Sequence, residues 1–385
     1  MQIESGFYND FITMTLVSVI IPTHDRVAFV GGAIETVLSQ THDEVEILVV
    51  NDGSTDGTRE VLERYEDHDD RVRAFHRPTN RGIADGRNYA LSRARGEYVC
   101  VLDDDDRWHP EKVERQLAVI EALDEEWGVV YCGGVVRRGD RVIGTYRPRS
   151  DRQGDIYPDV LVEFGLQPYS SHMIRKECFE RVGGYDPSLG CGEDWDHAIR
   201  LAREYKFSTV PELLVERSFH AENASHERRR THGSPEGIPI RIEDGTGPYG
   251  QIWQKYRREI ERHPGIERRF KARREVACGQ IELEGGNRAK ALRHGCAAAL
   301  KNPTVNAALV VLFACLGRHA FALARGLRDT WVNRRSYSEG EFPAWKDDRS
   351  LASIEPDRRD GVPTVGPLCS NSGPNAGRLR ETEDL

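Results

Sequence analysis

The chain has 385 residues, of which 30% are charged and 38% belong to the hydrophobic class, so it is neither a polytopic membrane channel nor a wholly disordered protein. Its 54 basic and 63 acidic residues leave a net charge of -9, the wrong sign for a protein that grips phosphate backbones, and nucleic acid is excluded as the main partner. The length predicts one large domain with an appendage, or two domains.

Residues 1–14 read as an N-terminal extension, because Met14 stands directly before Thr15-Leu-Val-Ser-Val-Ile-Ile-Pro22, an apolar run ended by proline that predicts a buried first strand. From there short β-branched runs alternate with amphipathic segments. Helices are predicted at 27–40, 56–65 and 83–95, and strands at 45–51, 72–76 and 98–102. This rhythm predicts an α/β fold with a largely parallel sheet flanked by helices, and ligands at the strand C-termini.

After a helix at 110–123 the pattern changes to short strands at 129–132 and 142–146, then to loops rich in Gly, Pro and Tyr up to Pro187. Residues 223–247 carry no period and read as a linker loop. Four helical segments follow at 248–263, 266–284, 287–301 and 304–327, making a C-terminal helical extension over 248–330. Residues 331–385, rich in Asp, Arg, Pro, Gly and Ser, are expected to be a disordered tail.

Eight cysteines are scattered with no CxxC pair, which fits idle thiols in a reducing compartment. The run before Pro22 lacks the basic flank and cleavage site of a signal peptide, so a cytoplasmic location is expected. The apolar run Ala307–Gly317 is too short to span a bilayer but is followed by Arg318, Arg325 and Arg328. It reads either as a core helix or as an interfacial one, giving peripheral contact with the inner face of the cell membrane.

The densest chemical signal is Leu102-Asp103-Asp104-Asp105-Asp106-Arg107-Trp108, a buried strand ending in four consecutive carboxylates. Adjacent carboxylates repel and stay ionised together only if water or a cation offsets them. Hard oxygen ligands suit Mg2+ or Mn2+, held by one or two carboxylates and completed by phosphate and water. The alternative is a solvated acidic turn capping the next helix. A second acidic point, Asp52, precedes Gly53-Ser-Thr-Asp56, where Gly53 supplies a turn and the rest cap a helix. The loop Asn80-Arg81-Gly82 to Arg87-Asn88 can hold a diphosphate or present an amide to a base. Finally Gly192-Glu193-Asp194-Trp195 delivers an acidic pair at a helix start, with Trp195, Ile199 and Ala202 turned to the core; a carboxylate there is a base or merely a cap.

Together with Val17-Ser-Val-Ile-Ile-Pro22-Thr23-His24-Asp25, these five motifs stand in the order found in family 2 glycosyltransferases of the GT-A fold, and the chain resembles that family over residues 15–222. The resemblance implies a GT-A nucleotide-binding mixed sheet and a metal-dependent, inverting transfer of sugar from a nucleotide-sugar donor. The acceptor would be a hydroxyl or phosphate on a glycan or lipid-linked partner. It assigns Pro22, Thr23, Asp25, Asp52, Gly82, Arg87, Asp103 and Asp104 to the donor, with Asp25 and Asp52 at the base or ribose. Asp105 and Asp106 are assigned to the metal, the register within the run of four remaining open. Asp194, with Glu193 beside it, becomes the general base. A nucleotidyltransferase would need a glycine-rich basic loop after the first strand, where Pro22-Thr-His-Asp25 stands instead. A non-catalytic scaffold would be expected to lose Asp105 or Asp194.

Overall fold

The computed structural model describes residues 15–166, 168–220, 247–317 and 320. The predicted extension at 1–14, almost all of the 223–247 linker and the 331–385 tail lie outside them.

The first half follows the expected alternation. Strand β1 (Val17–Thr23), helix α1 (Val30–Leu38), β2 (Val45–Asp52), α2 (Thr58–His68), β3 (Val72–Arg77), α3 (Ile83–Leu91) and β4 (Tyr98–Val101) succeed one another. β1 pairs in parallel with both β2 and β4, and β2 with β3. Every residue of β1, β2 and β4 is buried, because helices cover both faces, and that is why these strands read as apolar runs rather than as alternations. α1 buries Val30, Ala33, Ile34 and Val37, the i, i+3, i+4, i+7 stripe of a surface helix, at about 1.5–3 kcal/mol for each large aliphatic side chain.

The second half makes the sheet mixed. β5 (Arg107–Trp108), α4 (Lys112–Ile120), β6 (Trp127–Arg138), β7 (Arg141–Tyr146), β8 (His172–Arg175), α5 (Lys176–Val182), α6 (Glu193–Glu204) and β9 (Lys206–Ser218) complete it. The sheet order is β3-β2-β1-β4-β8-β6-β9-β5, with β7 on β6. β8 runs antiparallel to both β4 and β6.

The stretch expected as loops up to Pro187 therefore holds a central strand and a helix. β8 has only four residues, and His172, Met173 and Ile174 are all buried, so no period marks it. The long strand β9 was also absent from the sequence reading. Pro211 and Glu212 interrupt its pattern, and they sit where its register against β6 jumps from Cys132–Val210 to Gly133–Leu213, a bulge that accommodates a proline.

Four helices follow: α7 (Gly247–Arg262), α8 (Pro264–Glu284), α9 (Arg288–Lys301) and α10 (Val305–Leu316). Ile252, Trp253, Tyr256 and Ile260 of α7, with Phe270 of α8, join the same core as the sheet. A second core, including Val276, Ala291, Ala298, Ala307 and Val310, holds α8, α9 and α10 together. The helix expected over 304–327 stops at Leu316, where Gly317 takes a φ of 92°, a conformation that ends helices readily because glycine has no Cβ to clash.

Candidate active site

Four loops converge at the C-terminal ends of β1, β2, β3 and β4, where an open α/β sheet binds its ligands. The loop after β1 is stapled to the loop after β2. The backbone N–H of Asp25 donates to Ser54 Oγ at 2.9 Å, Thr55 N–H to Asp25 Oδ1 at 2.7 Å, and Val27 N–H to Asp56 Oδ2 at 3.0 Å. Asp25 itself adopts a φ of 50°, unusual for a residue with a side chain. Ser54 and Asp56, expected to cap α2, instead lock the neighbouring loop: the N-cap position is Gly57 and carries no side-chain cap bond, while Asp56 accepts from Thr58 N–H at 3.0 Å.

Asp52 is buried, and its Oδ2 accepts from the backbone N–H groups of Arg81 and Gly82 at 2.8 and 2.9 Å. Its other oxygen lies 3.3 Å from Arg77 Nη1. The carboxylate therefore shapes the loop between β3 and α3 from within. A side chain at Gly53, where φ is 75°, would meet the backbone of Thr79 and Asn80 within 3 Å, so the close passage of these two loops depends on glycine. Gly82, with φ at 92°, has nothing within 4 Å of where a Cβ would stand, so that side of it is clear.

The acidic turn after β4 is clamped from below. Asp106 is buried and accepts from Ser170 Oγ at 2.6 Å and from Ser218 N–H at 3.3 Å, while Ser170 Oγ accepts from Asp103 N–H at 3.2 Å. Trp108 Nε1 donates to Ser170 O at 2.9 Å, and buried Lys112 lies 3.7 Å over the Trp108 ring. Burial, followed by the charges of Asp105 and Asp103, holds Asp106 well above the usual carboxylate range. The same causes push Asp104 up to about 7. Asp105 Oδ2 lies 3.1 Å from Nε2 of His220, whose ring stacks on Phe29 at 4.4 Å. Sequence reasoning missed His220: it follows the end of β9, remote from any motif, and the pairing of β9 with β5, directly after the acidic turn, brings it here.

Across the site, α6 begins at Glu193 after Gly192, which takes a φ of 79°. Asp194 is half-buried, and burial, then the adjacent charge of Glu193, pushes its carboxyl up to about 7. Trp195, Ile199 and Ala202 are buried as expected, with Trp195 Nε1 donating to Val160 O at 2.7 Å. Asp196, not singled out by the sequence reading, is fully buried and receives Tyr256 Oη and Lys255 Nζ, each at 2.6 Å, which ties α7 to α6.

Arg87 joins the two acidic groups. Its buried guanidinium donates from Nη2 to Asp103 at 2.9 Å and from Nη1 to Glu193 Oε1 at 3.4 Å, between the rings of Tyr169 and Tyr185. Asn88, expected to offer an amide to a base, instead clasps the backbone of Tyr185, donating to its O at 2.7 Å and accepting from its N–H at 2.8 Å. That clasp fixes the loop leading to α6.

The donor set suits a hard divalent cation. Among the described residues no three His, Cys, Asp or Glu side chains form a closed metal cage. What is present is a crowded set of carboxylates in which Asp103 is paired with Arg87 and Asp105 stands beside an imidazole. That matches a cation which takes few protein ligands and fills its shell with phosphate and water.

The family described as "Glycosyl transferase family 2" matches residues 18–183. The putative teichuronic acid biosynthesis glycosyltransferase TuaG of Bacillus subtilis (strain 168) is 44% identical over 102 residues, 26% of this chain and 40% of TuaG. An uncharacterized glycosyltransferase of Rickettsia typhi is 29% identical over 212 residues, 53% of this chain and 64% of that protein. The chain thus spans less than two thirds of either relative. S. aureus TarS 1-349, solved in complex with UDP-GlcNAc, shares the fold with a TM-score of 0.51 at 17% identity, covering 77% of this chain and 91% of that one. Residues 18–183, less than half of the chain, thus resemble glycosyl transferase family 2, and the Gly192–Trp195 motif that completes the set stands just beyond that match at the start of α6.

Proposed function

We propose that the chain transfers a sugar from a nucleotide-sugar donor to an acceptor hydroxyl or phosphate, with inversion at the anomeric carbon, during assembly of a polysaccharide, glycolipid or glycoprotein glycan. The observation that carries this reading is the single guanidinium of Arg87, which holds Asp103 of the acidic turn and Glu193 at the start of α6. It links the acidic turn to the first turn of α6, the two elements this reading assigns to the diphosphate and to the base.

In this reading the nucleotide lies over the ends of β1 and β2. Pro22 and Thr23 form the floor, Asp25 approaches the base or ribose, and Asp52 acts by holding the loop of Arg81 and Gly82 in shape. Asp103 and Asp104 face the ribose and diphosphate. Asp105, with His220 beside it, would hold Mg2+ or Mn2+, while Asp106 anchors the turn through Ser170 and Ser218. Once bound there, such a cation would supply positive charge to offset that of the departing diphosphate. Asp194 takes the proton from the acceptor hydroxyl as its oxygen bonds to the anomeric carbon and the bond to the diphosphate breaks. A base pushed up to about 7 suits this step, because it is ionised near neutrality and still basic enough to accept a proton. The likeness to TuaG and to donor-bound TarS supports a nucleotide-sugar donor and a glycan acceptor.

Titration calorimetry with UDP, GDP and dTDP tests the donor half. One of the three is expected to bind at least about tenfold more tightly with Mn2+ than in chelator, a difference of about 1.4 kcal/mol. Equal, weak affinity for all three in both conditions would refute the proposal.

A further inference from the structure

The outer surface of the last two described helices is chemically unlike the rest of the chain. α10 buries Ala307, Val310 and Ala314 against its neighbours and approaches them closely: a Cβ at Gly279 of α8 would meet Val310 at 2.5 Å, and one at Gly295 of α9 would meet Val311 at 2.9 Å. That inner face is complete, yet the outer face is also apolar. Val305 (75% exposed), Leu309 (40%), Leu312 (48%) and Leu316 (58%) follow one another at helical spacing, and Leu300 (88%) and Leu292 stand out from α9.

The segment that carries this stripe has charge of one sign, although Lys290 and Lys301 face Glu282 and Glu275 of α8 at 3.8 and 3.5 Å. From Gly285 to Arg328 the sequence holds seven Lys and Arg residues and no Asp or Glu, within a chain whose net charge is -9. Arg293 is exposed next to Leu292. No helix among the described residues is long and apolar enough to cross a membrane. A packed helix pair with leucines on its outer face and only positive charge in its own sequence has the chemistry of an element that lies in a bilayer interface. A second copy of the chain would bring the same positive charge against this one, whereas an anionic headgroup layer complements it.

We propose that α9 and α10 dock the chain peripherally onto an anionic phospholipid surface through Leu300, Val305, Leu309, Leu312 and Leu316. This docking is independent of the transfer reaction. It would hold the enzyme where a lipid-borne acceptor is concentrated in two dimensions.

The test is flotation of the full chain with vesicles of phosphatidylglycerol and phosphatidylcholine in equal parts, against phosphatidylcholine alone. The protein is expected to float with the anionic vesicles, to stay down with the neutral ones, and to be released by high salt. Leu309→Gln with Leu312→Gln and Leu316→Gln is expected to lower partitioning at least about tenfold with an unchanged thermal melt, since these side chains leave the inner core intact. If that variant fails to fold, Leu300→Gln with Arg293→Glu carries the same expectation from α9. The proposal is overturned if the wild type floats with neither vesicle, or if a folded variant floats as well as wild type. It is also overturned if the wild type is an oligomer that the leucine variant breaks into monomers, which would assign the stripe to a second copy.

Discussion

Asp105→Asn is expected to lower sugar transfer by at least about 10² to 10³-fold and to remove the effect of Mn2+ on donor binding. The amide keeps the shape of the side chain and loses the charge that a hard cation requires. Because Asp106, rather than Asp105, is bound inward by Ser170 and Ser218, the substitution leaves the clamp beneath the turn in place, and the thermal melt should move little. Initial rates with and without chelator, alongside calorimetry, give both readouts. A variant that keeps its metal response would move the metal to another member of the acidic turn.

Asp194→Asn is expected to act on turnover alone. Donor and metal affinity should stay near wild type while turnover falls by about 10² to 10⁴, the usual contribution of a positioned base. Wild-type turnover should also depend on pH in a defined direction. In the proposed mechanism the ionised form of Asp194 is the active one, and its carboxyl is pushed up to about 7, so the rate should rise about tenfold per pH unit on the acid side and level off near that value. Loss of donor affinity together with turnover in the variant would make Asp194 a structural residue.

The raised carboxyls also set a sign for stability. Asp104 and Asp194, pushed up to about 7 from an ordinary value of 3.8, keep protons in the folded state that the unfolded chain has lost, so without metal the stability they contribute falls as pH rises through that window. The cause is burial first, then like charge, and a bound cation opposes both effects.

The parallel half of the fold was legible because β1, β2 and β4 are buried on both faces and the helices between them carry a clear stripe. β8 and β9 were not. One is too short and too buried to show a period, and the other is broken at Pro211 by a bulge that exists only in pairing with β6. The same division runs through the site. Asp25, Asp52, Asp103–Asp106 and Asp194 stand in contiguous motifs, whereas His220, Ser170 and the tyrosines around Arg87 come from segments whose nearness is set by sheet order. Motifs also name residues without naming their bonds: Asn88 carries an amide as expected, but that amide fixes the loop before α6.

The central claim is that one site, joined by Arg87, performs a metal-assisted transfer from a nucleotide sugar. Its most direct test is release of nucleoside diphosphate by the purified full chain from a panel of UDP-, GDP- and dTDP-sugars, with Mn2+ or Mg2+ and with chelator. The account predicts release from at least one donor that stops in chelator and resumes when the cation is restored. No release from any donor, or release that continues unchanged in chelator, would contradict it.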